Sequence, residues 1–125
     1  MLLDTHTLLW FLGDDANLSA NAKEQIEQAN HTYISVISIW EIAIKVSIGK
    51  LKLEFDFKEL PQILSQLNIE ILPITFADTQ IYINSPLHHR DPFDRILIAQ
   101  ARNYDLVIVG CDEVFDHYQV TRIWE

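Results

Sequence analysis

Glycine is scarce in this sequence: only Gly13, Gly49 and Gly110, far apart in 125 residues. A P-loop cradle and a dinucleotide fingerprint both need glycines clustered within a few residues, so both are excluded. Cysteine is scarcer still. The single Cys111 cannot close an intrachain disulfide, so the fold must stand on packing alone and suits a reducing compartment. Cys111 itself is expected to act as a small buried hydrophobe. No apolar run approaches the ~20 residues of a membrane span. The opening MLLDTHTLLW has no basic leader and carries Asp4 within its apolar stretch, so a cytoplasmic location is expected. Basic residues are few, nine against 18 acidic ones, for a net charge of −9. That balance excludes a protein that coats nucleic acid by bulk electrostatics, and any such contact must be local. Zinc has no support either, because His6, His31, His88, His89 and His117 lack a cysteine partner set and no H-E-x-x-H pair occurs.

What is present is enough apolar material, 49% of residues, to build one core, and residues 1–125 are read as one domain. MLLD reads as a short buried strand, and THTLLWFLG as a helix stopped by Gly13. Ser19 can cap a second helix to about Asn30. TYIS is a strand, after which Ser38 is expected to open the helix SIWEIAIKVSIG, ended by Gly49. Segment 51–57 alternates Leu51, Leu53, Phe55 and Phe57 with charged residues and suits a short extended piece, followed by helix to about Leu67. NIEILPI is a strand, Thr75 can cap TFADTQIYI, and the prolines from Ser85 to Pro92 mark a loop. A long helix begins near Pro92. LVIV reads as a strand covered on both faces, DEVFDHY as a helical turn and VTRIW as an edge strand. Strands alternating with helices imply α/β class: a parallel-sheet α/β/α sandwich of Rossmann-like topology without a dinucleotide site.

In such a sheet the strand C-termini and the following helix N-termini share one edge, where open α/β proteins bind ligands. Four acids fall there: Asp4 after the first strand, Glu41 in the first turn expected after TYIS, Asp94 near the start of the long helix, and Asp112 after LVIV. Each also has a local explanation. Ser38 and Glu41 match a capping box, Asp91 can cap with Pro92 at the first helical position, and Asp4 and Asp112 could each be a plain N-cap. Capping does not account for the gathering. Four carboxylates near one point repel, and they lose charge or stability unless a cation compensates. Oxygen-only ligands select hard cations, so Mg²⁺ or Mn²⁺ is expected, with waters completing the shell.

In order and spacing, MLLDTHTLLWFL, SVISIWEIAIKVSIGKLKL, HHRDPFDRILIAQA and LVIVGCDEVFDHYQVTRIW resemble a PIN domain over nearly the whole chain. The strings WEIAIK and RDPFDR narrow the likeness to VapC-like toxins, the metal-dependent ribonucleases of type II toxin–antitoxin pairs. By position the resemblance makes Asp4, Glu41, Asp94 and Asp112 the catalytic, metal-holding acids. It implies hydrolysis of RNA phosphodiesters by a metal-activated water, leaving a 5′-phosphate and a 3′-hydroxyl, with Arg90 or Arg95 touching the RNA backbone and Asp91 as a cap or supporting partner. It also implies a homodimer and an antitoxin whose segment shields the acids. The family's late acid usually follows a Thr or Ser two residues earlier, and here Gly110 holds that place.

Two other readings compete. One is a PIN-like module that binds RNA or protein without cutting. The other is a phospho-receiver domain, which wants an adjacent acidic pair after the first strand; here Asp4 is followed by Thr5. The helix around Trp40 carries more apolar residues (Ile39, Ile42, Ala43, Ile44, Val46, Ile48) than one stripe requires, so it is either buried all round or part of an interface.

Overall fold

The structure, a computed structural model, describes residues 1–86 and 91–125; most of the expected loop from Ser85 to Pro92, with His88, His89 and the RNA contact expected of Arg90, lies outside the described residues. Five strands, β1 (Leu2–Leu3), β2 (Thr32–Ser35), β3 (Ile69–Leu72), β4 (Ile108–Val109) and β5 (Arg122–Ile123), form a sheet in the order β3-β2-β1-β4-β5. Every pair is parallel. Among the described residues six α-helices connect the strands: α1 (Thr5–Leu12), α2 (Ala20–Gln28), α3 (Val36–Ser47), α4 (Leu60–Gln66), α5 (Phe76–Asn84) and α6 (Pro92–Tyr104). This is the α/β/α arrangement that the alternation of strands and helices implied.

The sheet is covered on both faces because its central strands send apolar side chains to both, Leu2, Leu3, Ile34, Ile108 and Val109 among them. Leu3, Ile34 and Val109 face one core with Leu8, Ala22, Ile42 and Leu64. Leu2 and Ile108 face the other with Leu97, Ile98, Ala101 and Phe115. The registers Leu3↔Ile34, Leu3↔Val109 and Leu2↔Ile108 line up like with like. LVIV is shorter in the ladder than its sequence suggests, with Ile108 and Val109 alone paired and both fully buried. From β1 the sheet grows toward β2 on one side and β4 on the other. The C-terminal ends of β1 and β4 therefore flank the point where strand order reverses, where open α/β sheets leave a crevice.

Two expectations need correction, and a third point, left open between full burial and an interface, is narrowed. The third helix is opened by Ser35, whose hydroxyl accepts from the Ile37 amide, and not by Ser38, which is buried within the helix. The strand ends directly in the helix, so its last residue doubles as the cap; Glu41 consequently lies in the second turn and makes no capping box. Segment 51–57 forms no strand, for no neighbour offers it a ladder. Its alternation is nevertheless real, since Leu51, Leu53, Phe55 and Phe57 are half-buried against the core while Lys52, Glu54 and Asp56 are exposed. The apolar helix α3 is not buried all round, because only Ser38 and Ile42 are buried and Trp40 is 57% exposed.

A buried carboxylate ties the α5–α6 pair together. Asp78 has no exposed surface; it accepts from the Thr75 amide at 2.8 Å and from Asn103 Nδ2 at 2.9 Å. Asp78→Ala removes one half of the capping box, the Thr75 cap itself remaining, and leaves two donors unpaired, so denaturant unfolding is expected to show a loss of about 2–3 kcal/mol. Asp56→Ala, at the exposed cap of the 3₁₀ turn Phe57–Glu59, is expected to lose less than about 1 kcal/mol.

Candidate active site

A cavity of about 440 Å³ opens beyond the ends of β1 and β4, and Asp4, Thr5, His6, Trp10, Glu41, Asp91, Asp94, Cys111 and Asp112 line it. All four acids singled out in the sequence are among them, each carried by a different element. Asp4 caps α1 by accepting from the Thr7 amide at 2.8 Å. Asp94 is the third residue of α6, whose cap is Asp91, accepting from the Phe93 and Asp94 amides. Asp112 caps the 3₁₀ turn Glu113–His117 through the Val114 amide. Three local caps thus bring three carboxylates to one edge, as helix starts in a parallel sheet must.

Asp4 is the buried member, 5% exposed, and burial raises its pKa above the ordinary carboxylate value; the Thr7 hydroxyl and amide and His6 oppose that rise, while Asp112 adds to it. Its carboxylate lies against the backbone of Gly110, where a Cβ would come within 2.6 Å of Oδ2. Glu41 is held from both sides. The Thr5 hydroxyl donates to Oε1 at 2.7 Å, with Ser38 Oγ 3.0 Å from the same hydroxyl, and Lys45 Nζ lies 3.1 Å from Oε2. Thr5, on α1, thereby fixes the angle of a carboxylate 36 residues away.

A PIN-domain family model matches residues 1–120. The chain belongs to the PIN domain family.

Across its length the PIN fold is shared with solved structures. The chain resembles VapBC2 from Rickettsia felis bound to a DNA fragment from their promoter, at a TM-score of 0.74 and 17% identity over 99% of this chain and 98% of that one. It resembles FitAcB from Neisseria gonorrhoeae at 0.69 and 18%, over 98% and 95%. A toxin–antitoxin complex from Klebsiella pneumoniae follows at 0.62 and 16%, over 90% and 86%. At these identities the likeness is one of fold. No curated protein matches the chain closely in sequence.

The acids of this PIN domain share a cavity and not a point: among the described residues, no three His, Cys, Asp or Glu side chains stand close enough together to hold an ion directly. The donor set still suits a hard cation, because Mg²⁺ keeps several waters and takes only one or two carboxylates itself. Cys111 corrects an expectation. It is exposed on the cavity wall, because the chain has left the sheet after Val109 and is turning outward there. Partial burial pushes its thiol pKa up, and the charges of Asp4 and Asp112 push it further, which favours the protonated thiol over the thiolate. Arg95 is not on the cavity either; its guanidinium stacks 4.3 Å over the Tyr82 ring.

Sequence reasoning missed Thr5, His6 and Trp10. The last two stack with centroids 5.8 Å apart, and their i, i+4 spacing on α1 was the signal available. A larger hollow, about 840 Å³, sits at the far ends of β2 and β3 with Glu70 its one carboxylate, and nothing there matches the chemistry of the acid cavity.

Burial disfavours the charged form of Asp4, so the folded protein binds that proton more tightly than the unfolded chain does. Stability from this group is therefore greatest at low pH and declines as pH rises from the unfolded value, 3.8, through the raised folded value. Asn retains the capping oxygen without the charge. In EDTA, Asp4→Asn is expected to melt above the wild type at pH 7, with the gap narrowing as pH falls toward 3.8; an equal gap at pH 7 and at about pH 4 would contradict this account.

Proposed function

We propose that this PIN domain is a metal-dependent endoribonuclease, hydrolysing RNA phosphodiesters as the toxin of a toxin–antitoxin pair. The observation that carries the reading is the convergence of Asp4, Glu41, Asp94 and Asp112, from four separate elements, on one cavity at the reversal point of the sheet. PIN domains are generally nucleases. Capping explains Asp4 and Asp112, and a helix start favours Asp94 in its first turn, but neither gives a reason for Glu41, from mid-helix, to be steered toward the others by a hydroxyl and an ammonium.

In this reading the four acids hold Mg²⁺ or Mn²⁺, in part through water. Held there, such an ion would lower the pKa of a water and offset negative charge on the phosphate and the leaving oxygen. The chain's own groups do the rest. Thr5 and Lys45 orient Glu41, Thr7 and Gly110 seat Asp4, and Asp91 fixes the first turn that presents Asp94. The His6–Trp10 stack at the wall offers a flat surface for an unpaired base, which suits single-stranded RNA. The products are a 5′-phosphate and a 3′-hydroxyl.

The antitoxin partner is supported by the solved neighbours, which include a toxin–antitoxin complex. Such a partner would bring positive charge to a chain carrying −9. A homodimer is supported by Trp40, Phe76 and Ile83, which are 57%, 78% and 80% exposed and leave apolar area for a second copy to cover. Trp40→Glu is expected to shift the sedimentation coefficient from dimer to monomer; an unchanged value places the interface elsewhere.

A second reading, a PIN-like module that binds RNA or protein without cutting, is favoured by one observation: both oxygens of Glu41 are already engaged. Purified protein incubated with a mixed RNA pool separates the two. Cleavage with Mn²⁺ or Mg²⁺ that EDTA abolishes, and that Asp94→Asn lowers at least about a hundredfold, is the expected result. RNA retention without cleavage by folded, metal-loaded protein selects the binding module.

A further inference from the structure

The turn that carries Asp112 leaves the sheet after Val109 and passes through Gly110 and Cys111. Both polar groups of the Gly110 backbone are tied to β5. Its amide donates to the Ile123 carbonyl at 3.2 Å, and its carbonyl accepts from Arg122 Nη1 at 3.0 Å. The other edge of the same guanidinium makes a two-pronged contact with Asp116, Nε and Nη2 each donating at 2.9 Å to a separate carboxylate oxygen. Arg122 thus spans the turn, from the residue where it starts to the 3₁₀ segment where it ends, and Asp112 lies between the two anchors. The arginine side chain is 16% exposed and does not line the acid cavity, so it acts on the site only through what it holds.

What it holds is tightly constrained. The Asp4 carboxylate rests on Gly110 so closely that a Cβ there would lie 2.6 Å from Oδ2 and 3.0 Å from Cγ. A turn that moved toward β1 would push Asp4 aside, and one that moved away would withdraw Asp112. We propose that Arg122 is a positioning residue for the acid site, clamping the Gly110–Asp116 turn so that Asp4 and Asp112 keep their relative placement. A planar guanidinium is suited to this role because its fork engages a carboxylate with one edge while a further N–H reaches a carbonyl. Lysine has one point of attachment and cannot span both.

The inference rests on the metal-site reading for its consequence, but not for the clamp itself, and two measurements separate them. In metal-free protein, Arg122→Gln is expected to speed amide hydrogen exchange at Gly110 and Cys111 by about tenfold over wild type, with amides of β1 and β2 unchanged. In calorimetric titration with Mn²⁺ alone, the same variant is expected to bind about tenfold more weakly. Its kcat on RNA falls while KM moves less than about threefold. Arg122→Lys falls between wild type and Arg122→Gln in both measurements. If Arg122→Gln does not fold, Asp116→Asn carries the test, since it removes the outer anchor at an exposed position; faster exchange at Gly110 and weaker Mn²⁺ binding are again expected. Wild-type exchange in a folded variant overturns the clamp. Local loosening with wild-type Mn²⁺ affinity overturns the positioning role and leaves Arg122 structural. A wild type that binds no Mn²⁺ sinks the metal reading, while the exchange data still decide the clamp.

Discussion

One contact sets the terms for the acid site: the Asp4 carboxylate, buried at the end of the central strand, lying against the bare backbone of Gly110. β1 lies in the middle of the sheet, so the residue that ends it is enclosed by the chain leaving β2 on one side and β4 on the other. A charged group is costly there. It is tolerated because the first turn of α1 supplies the Thr7 amide and hydroxyl, and because the neighbouring strand ends in a residue with no side chain. Gly110 is required at this position by space and not by backbone conformation.

Much of this was legible in the sequence because the chain follows local rules where local rules suffice. Strand and helix alternation, the Asp91–Pro92 helix start and the apolar run before Gly110 each report their own structure through caps and periodicity. The site acids were legible for a topological reason: in a parallel sheet, the residues that leave each strand arrive at the same edge. The misreadings arose where a partner distant in sequence decides. Ser35 displaces Ser38 as cap because β2 runs into α3 without a loop, which no window of the sequence reveals. Segment 51–57 has the period of a strand and the burial of one, yet no neighbouring edge to pair with. Cys111 is apolar in type but stands where the chain turns out of the sheet. The Thr5 bond to Glu41 joins α1 to α3 and could be found only once both were in place.

The charge distribution explains how an acidic chain can hold so many carboxylates at one place. Lys45 lies one helical turn from Glu41, on the same face of α3, and neutralises it within the element. Arg122 does the same for Asp116 outside the cavity. Lys45 and Arg122 are therefore each placed against a particular acid beside the site.

The engagement of Glu41 on both sides changes the thermodynamic character of loading the site, on the reading proposed for it. A cation that takes Glu41 Oε2 must displace an ammonium already there, so the event is an exchange of one positive charge for another and not a capture by bare carboxylates. Exchange sites bind more weakly than their charge count suggests, since part of the electrostatic gain exists before the ion arrives. They also stay compact when empty. Such a protein would be folded and storable without its ion, and its occupancy would follow the surrounding concentration of free divalent cation instead of remaining saturated.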